Sequence, residues 1–377
     1  MAKSKPALYL DYNASAPLLE VAKTAMAQAA NSDGNPSSAH APGREARALI
    51  ENAREHVAAL AGVSPHHLIF TSGATESNNQ VLLGTWLHHV QQKKPFRLIV
   101  SDIEHSSVRN TATFLKTLGA YVRRLPVGPE GVVHPSDLTA MLTEAPADLV
   151  SVMAVNNETG AIQPVADLAA IAHRHGARFH TDAVQSLGKV PMALTPFDFV
   201  SLSAHKLGGP KGVGALILKD PTHCIPLIRG GGHEQTCRSG TENVVGIAGF
   251  GDTCADWQAN GEIYRAAARD LKRSFCSTLK ELCTFTLDAS VPQSDFVLNI
   301  YTDAIDGPAL MMKLDLDGIA VSTGSACSTG SIDPSPVLAA MGVSAAAAQN
   351  AIRISWGPGT PSTAPETLAA RLRAYLR

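Results

Sequence analysis

SLSAHKLGGPKGVG, residues 201–214, is the stretch on which the reading of this chain turns. Apolar Phe197, Phe199, Val200 and Leu202 lead into it and predict a buried strand. Gly212–Val213–Gly214 leads out of it into a second apolar run, Ala215 to Leu218. Between the two stands Lys206, behind His205 and ahead of Gly208, Gly209 and Pro210. A lysine on a tight turn between buried strands is poorly placed for hydration. Desolvation of an ammonium group favours the neutral amine, the form that attacks carbonyls to make Schiff bases. A solvated lysine on a surface hairpin fits the same residues, so the choice depends on what lies upstream.

Upstream, strand and helix patterns alternate. Apolar runs predict strands at Leu68–Phe70, Arg97–Val100, Tyr121–Leu125, Asp148–Val155 and Arg178–His180. Helical spacing falls between and before them, at Pro17–Ala30, Arg44–Leu60, Gly73–Leu87, Ser106–Leu118 and Val165–His175. Strands separated by helices imply βαβ units and a mainly parallel sheet. After about Ala255 the texture changes to a long helical stretch followed by shorter pieces, which predicts a second, smaller domain.

The 377 residues allow two domains, and 45% hydrophobic with 17% charged residues is an ordinary globular composition. A net charge of −2 leaves no basic footprint, so nucleic acid is not an expected partner. No apolar run reaches the length of a membrane span, and MAKSKPALYL lacks the apolar core of a signal peptide. The six cysteines show no CxxC or zinc-type spacing, so no metal is expected and free thiols in a reducing cytoplasm are the simplest reading.

Polar clusters then recur at strand ends. Thr71–Ser72–Gly73–Ala74–Thr75–Glu76 sits between a strand and a helix, where backbone N–H groups can cradle phosphate. Simple N-capping by Ser72 or Thr75 explains it equally well. His105 follows the strand Leu98–Val100 and gains meaning only if other groups converge on it. Asn156–Asn157–Glu158–Thr159–Gly160 is either a plain turn or ligand contacts at the carboxyl end of a parallel strand. Asp182, in His180–Thr181–Asp182–Ala183–Val184–Gln185, is either an N-cap or the acid that keeps a pyridine nitrogen protonated. Three such ends, with a lysine on a fourth, point to a phosphate-bearing aromatic cofactor held as a lysine imine.

These blocks carry a family resemblance. LDYNASAP (10–17), GNPSSAH (34–40), FTSGATESNN (70–79), EHSSV (104–108), NNETG (156–160), HTDAVQ (180–185), SLSAHKLGGPKGVGAL (201–216), RSGTEN (238–243) and STGSACSTGS (322–331) resemble a cysteine desulfurase of the NifS/IscS type. That family belongs to the class V, pyridoxal-phosphate-dependent aminotransferase-like enzymes. The resemblance implies a type I fold, with a large α/β domain over residues 16–254 around a mainly parallel seven-stranded sheet. A small α+β domain from 1–15 and 255–377 would carry the cysteine loop. It further implies that Lys206 binds pyridoxal 5′-phosphate, that Asp182 pairs with its ring nitrogen and Gln185 with its phenolic oxygen, and that His105 stacks on the ring as an acid/base group. Ala74, Thr75, Ser203 and His205 would hold the phosphate, and Thr241 would reach the phosphate in the neighbouring subunit of a homodimer. Asn156 would contact cofactor or substrate, Asn13 the substrate, and Arg353 the substrate carboxylate, a bidentate task suited to guanidinium.

Cys327 would be the nucleophile. Its surroundings support that independently, since Ser322 to Ser331 holds glycines and small hydroxyl residues and no bulky side chain. A thiol on such a segment can move and react, whereas the other five cysteines stand in more apolar sequence. The implied activity turns L-cysteine into L-alanine through aldimine and ketimine chemistry, leaving a persulfide on Cys327 for a sulfur-acceptor protein in iron–sulfur cluster assembly or thio-modification. His105 would help form the Cys327 thiolate. A selenocysteine lyase or another class V lyase or aminotransferase is the alternative, and a non-catalytic sulfur-relay subunit is the other. Both Lys206 and Cys327 are present, which argues against the latter. The chain departs from relatives at Ser15–Ala16, where two threonines are usual, and at Trp356–Gly357–Pro358–Gly359. It also stops at Arg377, short of the segment with which longer members dock a scaffold, so the acceptor stays open.

Overall fold

The computed structural model describes residues 8–323 and 335–376. The chain opens with β1 (Leu8–Tyr9), α1 (Glu20–Ala29) and α2 (Ala41–Ala61). A βα alternation follows, with β2 (Leu68–Thr71), α3 (Ala74–Gln91), β3 (Arg97–Ser101), α4 (Ser106–Thr117), β4 (Tyr121–Leu125) and α5 (Pro135–Glu144). It continues with β5 (Leu149–Ser151), α6 (Val165–Arg174), β6 (Arg178–Asp182), β7 (Phe199–Ser203) and β8 (Gly214–Leu218). The helix α7 (Val244–Leu279) then leads to β9 (Thr284–Phe285), β10 (Val297–Tyr301), α8 (Gly307–Leu316) and β11 (Ile319–Ala320). The remainder is α9 (Pro336–Ala340), α10 (Ala345–Gln349), β12 (Ile352–Ser355) and α11 (Ala364–Tyr375).

Seven strands form one sheet in the order β2-β8-β7-β6-β5-β3-β4. Every neighbouring pair is parallel except those of β8, which runs antiparallel to both β2 and β7. The mainly parallel seven-stranded sheet expected from sequence is therefore what the chain forms. Both faces are covered, and the strands show it by sending alternate residues to different apolar clusters. Leu98 and Val100 of β3 pack with Val81, Val108 and Leu115, while Ile99 joins the cluster on the opposite face. Leu216 and Leu218 of β8 pack on the first side, and Ala215 and Ile217 on the second.

Two local expectations need correction. The strand expected over Asp148–Val155 pairs as a ladder only at Leu149–Ser151, because β3 ends at Ser101 and leaves its far side without a neighbour. The chain stays extended beyond, with Val152 and Ala154 donating backbone hydrogen bonds to His180 and Asp182 of β6. The long helix begins at Val244, not near Ala255, capped by the Asn243 side chain accepting from the Gly246 N–H. It is continuous through Cys254, so the expected boundary falls inside it. Its 36 residues span about 54 Å and carry α1 and α2 on its first half. Gly251 makes that approach possible, since a Cβ there would lie 2.5 Å from Ala53 Cα.

Around β2 the packing includes a buried ion pair. Arg54 donates through both terminal nitrogens to Glu234 at 2.8 Å, with side-chain exposures of 7 and 2%. Glu234 also accepts from the Phe70 N–H at 2.7 Å, and Arg54 donates to the Leu68 carbonyl. These bonds fasten a left-handed turn in which Glu234, Gln235 and Thr236 have φ of 46°, 55° and 67°. A residue stripped of its buried partner leaves an uncompensated charge. Glu234→Gln is therefore expected to lower the unfolding free energy by about 3–5 kcal/mol in urea titrations, whereas a loss below about 1 kcal/mol would class the pair with surface ion pairs.

Candidate active site

The parallel strands deliver their carboxyl ends to one edge of the sheet, the position where open α/β sheets bind ligands. At that edge lies a cavity of about 770 Å³. Asp182 enters it from β6, Ser203 from β7, and His205 and Lys206 from the turn after β7. Ala74 and Thr75 come from the start of α3, His105 from the start of α4, and Gln185 from the segment after β6. Asn13 and Arg353 line it from the first and last parts of the chain. The convergence that would give His105 meaning is present.

The antiparallel strand β8 joins the two turns that border the cavity. Gly214 is paired with Thr71 of β2 and with Ser203 of β7, which places the phosphate-type turn and the lysine turn side by side. A Cβ on Gly214 would sit 2.5 Å from the Leu202 carbonyl and 2.6 Å from Gly73 Cα, so the position has no room for a side chain. Lys206 is half-buried and donates to the backbone carbonyls of Asn13 and Ala14 at 2.8 and 2.9 Å. The solvated-hairpin reading of this lysine does not hold.

Asp182 is 5% exposed and accepts from Asn78 Nδ2 at 2.8 Å and from the Val184 N–H at 3.1 Å. The same Asn78 nitrogen donates to Ser107 Oγ at 2.8 Å, and Ser107 Oγ lies 2.8 Å from His105 Nδ1. The Ser107 backbone N–H donates to that Nδ1 as well, at 3.2 Å, so His105 caps α4 with its ring. In the neutral ring the proton therefore sits on Nε2. In this tautomer His105 gives a hydrogen bond or a proton from Nε2, and taking one up there requires Nδ1 to change partners. Asn78 was not marked in the sequence, because a helical asparagine carries no signal of what lies across from it.

Arg353 is 2% exposed; it donates to Asp11 at 2.9 Å and to the Asn157 carbonyl at 3.1 Å, and its Nε is buried without a partner. His205 is held neutral, its pKa pushed down to about 3 by burial and then by Lys206, Lys211 and Lys189. Glu104, beside His105, is pushed up to about 8, chiefly by burial and also by Asp182, against the opposing hydrogen bonds from Ser101 and Met153. Its Oε2 is buried without a partner.

Two expected residues do not line the cavity. Asn156 is fully buried behind the wall, where Oδ1 accepts from the Glu158 and Thr159 N–H groups at 2.9 Å and Nδ2 donates to the Ile103 carbonyl. Its side chain is consumed in building the turn, and its neighbours Asn157 and Glu158 face the cavity instead. Thr241 is exposed on the approach to α7, away from the cavity. Cys327 lies outside the described residues. The described residues on either side of it are bonded to residues that line the cavity. Ser322 exchanges backbone hydrogen bonds with Arg353, and Ser335 Oγ donates to Glu158 at 2.5 Å. The five described cysteines are unpaired with one another, and burial raises the thiol pKa of each, Cys283 to about 11 and Cys224 to about 12. They are poor nucleophiles.

Against known proteins, residues 8–362 match the family model Aminotransferase class-V. The chain is 40% identical over 362 residues to "Cysteine desulfurase IscS" of Dictyoglomus turgidum, covering 94% of this chain and 90% of that one. It is 37% identical to the "IscS-like cysteine desulfurase" of Mycobacterium tuberculosis, over 93 and 91% of the two chains. A solved "NIFS-like protein" superposes with a TM-score of 0.90 at 34% identity, covering 97 and 98%. The structure "SspA in complex with cysteine" gives 0.81 at 32% identity, covering 93 and 99%. The chain thus belongs to the class-V aminotransferase family.

Pyridoxal 5′-phosphate is the cofactor of these enzymes, and the residues present fit it. The 18-residue helix α3 aims its first N–H groups at the cavity beside Ser203 and neutral His205, a donor set for a phosphate. A carboxylate, an amide and a lysine amine, from Asp182, Gln185 and Lys206, line the same cavity, and a pyridine nitrogen, a phenolic oxygen and an aldehyde would call for groups of that chemistry.

Glu104 supplies a test of the site's electrostatics. The folded chain keeps a proton on it that the unfolded chain releases near the ordinary value of 4.5. Its contribution to stability is thus complete below pH 4.5 and is lost as pH rises through about 8. Glu104→Gln mimics the protonated acid, so relative to it the native protein should lose up to about 1.4 kcal/mol per pH unit across that window in unfolding titrations. Parallel stability curves for the two proteins would show Glu104 to be ionised when folded.

Proposed function

We propose that this chain is a cysteine desulfurase that converts L-cysteine to L-alanine and keeps the sulfur as a persulfide on Cys327. The observation that carries the reading is Lys206, Asp182 and Arg353 converging on one cavity, with both flanks of the Cys327 segment fastened to its wall. Bound pyridoxal phosphate supplies the electron sink for the substrate's Cα carbanion.

The chain's own residues do the rest. Arg353 is preorganised by Asp11 and the Asn157 carbonyl and clamps the substrate carboxylate, with Asn13 alongside. Lys206 Nζ binds the cofactor, then takes the Cα proton and returns it. Asp182, fixed by Asn78, accepts the ring nitrogen's hydrogen bond, and Gln185 donates to the phenolic oxygen. Ala74, Thr75, Ser203 and His205 hold the phosphate. His105 faces the reacting groups with Nε2–H and works as a proton donor.

Cys327, as thiolate, attacks the substrate sulfur. An S–S bond forms, the substrate C–S bond breaks, and its electron pair returns to the carbon that is protonated to give alanine.

The wider reading has separate supports. Residues 8–11 pair with Ile319, Ala320 and Ser355, which favours a small domain of 1–15 with the C-terminal part, joined to the 16–254 domain through α7. Exposed Thr241 suits a homodimer in which it reaches the partner's phosphate. Unpaired thiols suit a cytoplasmic setting, and among the described residues no helix is long and apolar enough to cross a membrane. The sulfur then passes to an acceptor protein.

The test is alanine and sulfide formation from L-cysteine with a thiol reductant, comparing the native protein with Cys327→Ala, both retaining the yellow cofactor. Alanine from the native protein and only background from the variant is the expected result. Equal alanine from both would assign a lyase without a protein nucleophile, as for selenocysteine.

A further inference from the structure

A second lysine lies behind the cavity, and the mechanism above does not use it. Lys189 is 5% exposed and donates to Gln185 Oε1 at 3.0 Å. Gln185, itself 4% exposed, donates through Nε2 to the Asn13 carbonyl at 3.1 Å, and that carbonyl also accepts from Lys206. Lys189, Gln185, Asn13 and Lys206 thus form one hydrogen-bonded chain. Among the described residues no carboxylate pairs with Lys189, and the Phe296 ring lies 5.9 Å from its Nζ. The charged groups acting on it are Lys206 on the turn after β7 and Arg353 on β12, both cations, and Lys189 acts in turn on His205. Burial, with those two cations, brings its pKa down to about 7.

The Lys189 amine donates to Gln185 Oε1, and the Asn13 carbonyl, which can only accept, takes an N–H from Gln185 Nε2. The two contacts together fix which way Gln185 is turned. With Oε1 facing Lys189, the NH2 group faces the cavity. One of its hydrogens goes to Asn13, and the other is left to a ligand atom. We propose that Lys189 is a positioning residue that locks the Gln185 amide as a donor toward the cavity, so that the site selects the anionic form of the cofactor's phenolic oxygen. A flipped amide would set a carbonyl oxygen against that oxygen. In its protonated form Lys189 also polarises the amide and strengthens the N–H it offers. This deepens the proposed function and rests on the placement of Gln185 at the phenolic oxygen.

A hydrogen bond from Gln185 to the anionic phenolic oxygen draws negative charge away from the neighbouring nitrogen contributed by Lys206. That lowers the nitrogen's proton affinity, so losing Lys189, and with it the firm placement of Gln185, raises it. The test uses apoprotein reconstituted with pyridoxal 5′-phosphate, followed by the pH midpoint of the bound cofactor's absorbance change and by the Kd for the cofactor. Lys189→Met should raise the midpoint by about one unit and weaken the cofactor about tenfold, and Lys189→Arg, which keeps a donor, should restore most of both. In Gln185→Leu the midpoint also rises, and adding Lys189→Met to it should change the midpoint little, because Lys189 acts through Gln185. A Lys189→Met midpoint equal to the native one, or a shift that adds in full to that of Gln185→Leu, would overturn the proposal. Circular dichroism checks that each variant is folded, and Lys189→Arg carries the test if Lys189→Met is not: with the amide held as donor its midpoint stays native, and a rise of a full unit counts against the proposal. A native protein that takes up no yellow colour overturns the underlying cofactor reading, a result distinct from any seen only in the variants.

Discussion

The amine of Lys206 is held by two backbone carbonyls, those of Asn13 and Ala14, nearly two hundred residues away in the chain. Much of the site depends on that contact. It requires the turn after β7 to stop at one edge of the sheet and the chain to return at once through β8, the strand that runs against all its neighbours. It also requires the N-terminal segment to cross that edge. Leu8 and Tyr9 pair with Ile319 and Ala320, Asp11 bridges to Ser355 and binds Arg353, and the next residues meet the lysine. Arg353, proposed to bind the amino acid's carboxylate, and Lys206, proposed to bind the cofactor, are therefore linked through one short stretch, residues 11–14.

The same region concentrates positive charge in a poorly hydrated space. Lys206 and Arg353 both act on Lys189, Arg353 is balanced in part by Asp11, and His205 stays neutral beside the lysines. Nearby Glu104 keeps its proton, so it does little to balance them. Such an arrangement is unfavourable on its own and is offset by binding anions. A phosphate, a phenolic oxygen and an amino-acid carboxylate are three anions of the right chemistry. Preorganised dipoles, at the start of α3 and in the Asn78–Ser107–His105 array, complete the set without reorganisation during reaction.

Much of this was legible in the sequence. Strand periodicity and Gly punctuation located the sheet, and polar residues at strand tips located Asp182, His105 and Lys206. What the sequence hid is set by contacts across long separations. Asn156 is a strand-tip residue like the others, yet its side chain closes its own turn, which local sequence cannot distinguish from facing a ligand. Lys189 and Glu104 are charged residues of kinds usually found on the surface, and nothing in the local sequence says that each is buried. Asp148–Val155 is uniformly strand-like, but pairing needs a neighbour, and β3 ends first. The start of α7 was obscured by Gly246, Gly249 and Gly251, glycines that weaken helical propensity and are there for close packing.

In the proposed function one lysine, at the return turn of the sheet, holds the cofactor. Reducing the reconstituted protein with borohydride fixes pyridoxal phosphate covalently to the amine that binds it, and peptide mapping by mass spectrometry then identifies the residue. A single phosphopyridoxyl group on Lys206 is the expected result. Label on Lys189 or Lys211 instead, or no covalent label on a protein that is yellow beforehand, would contradict it.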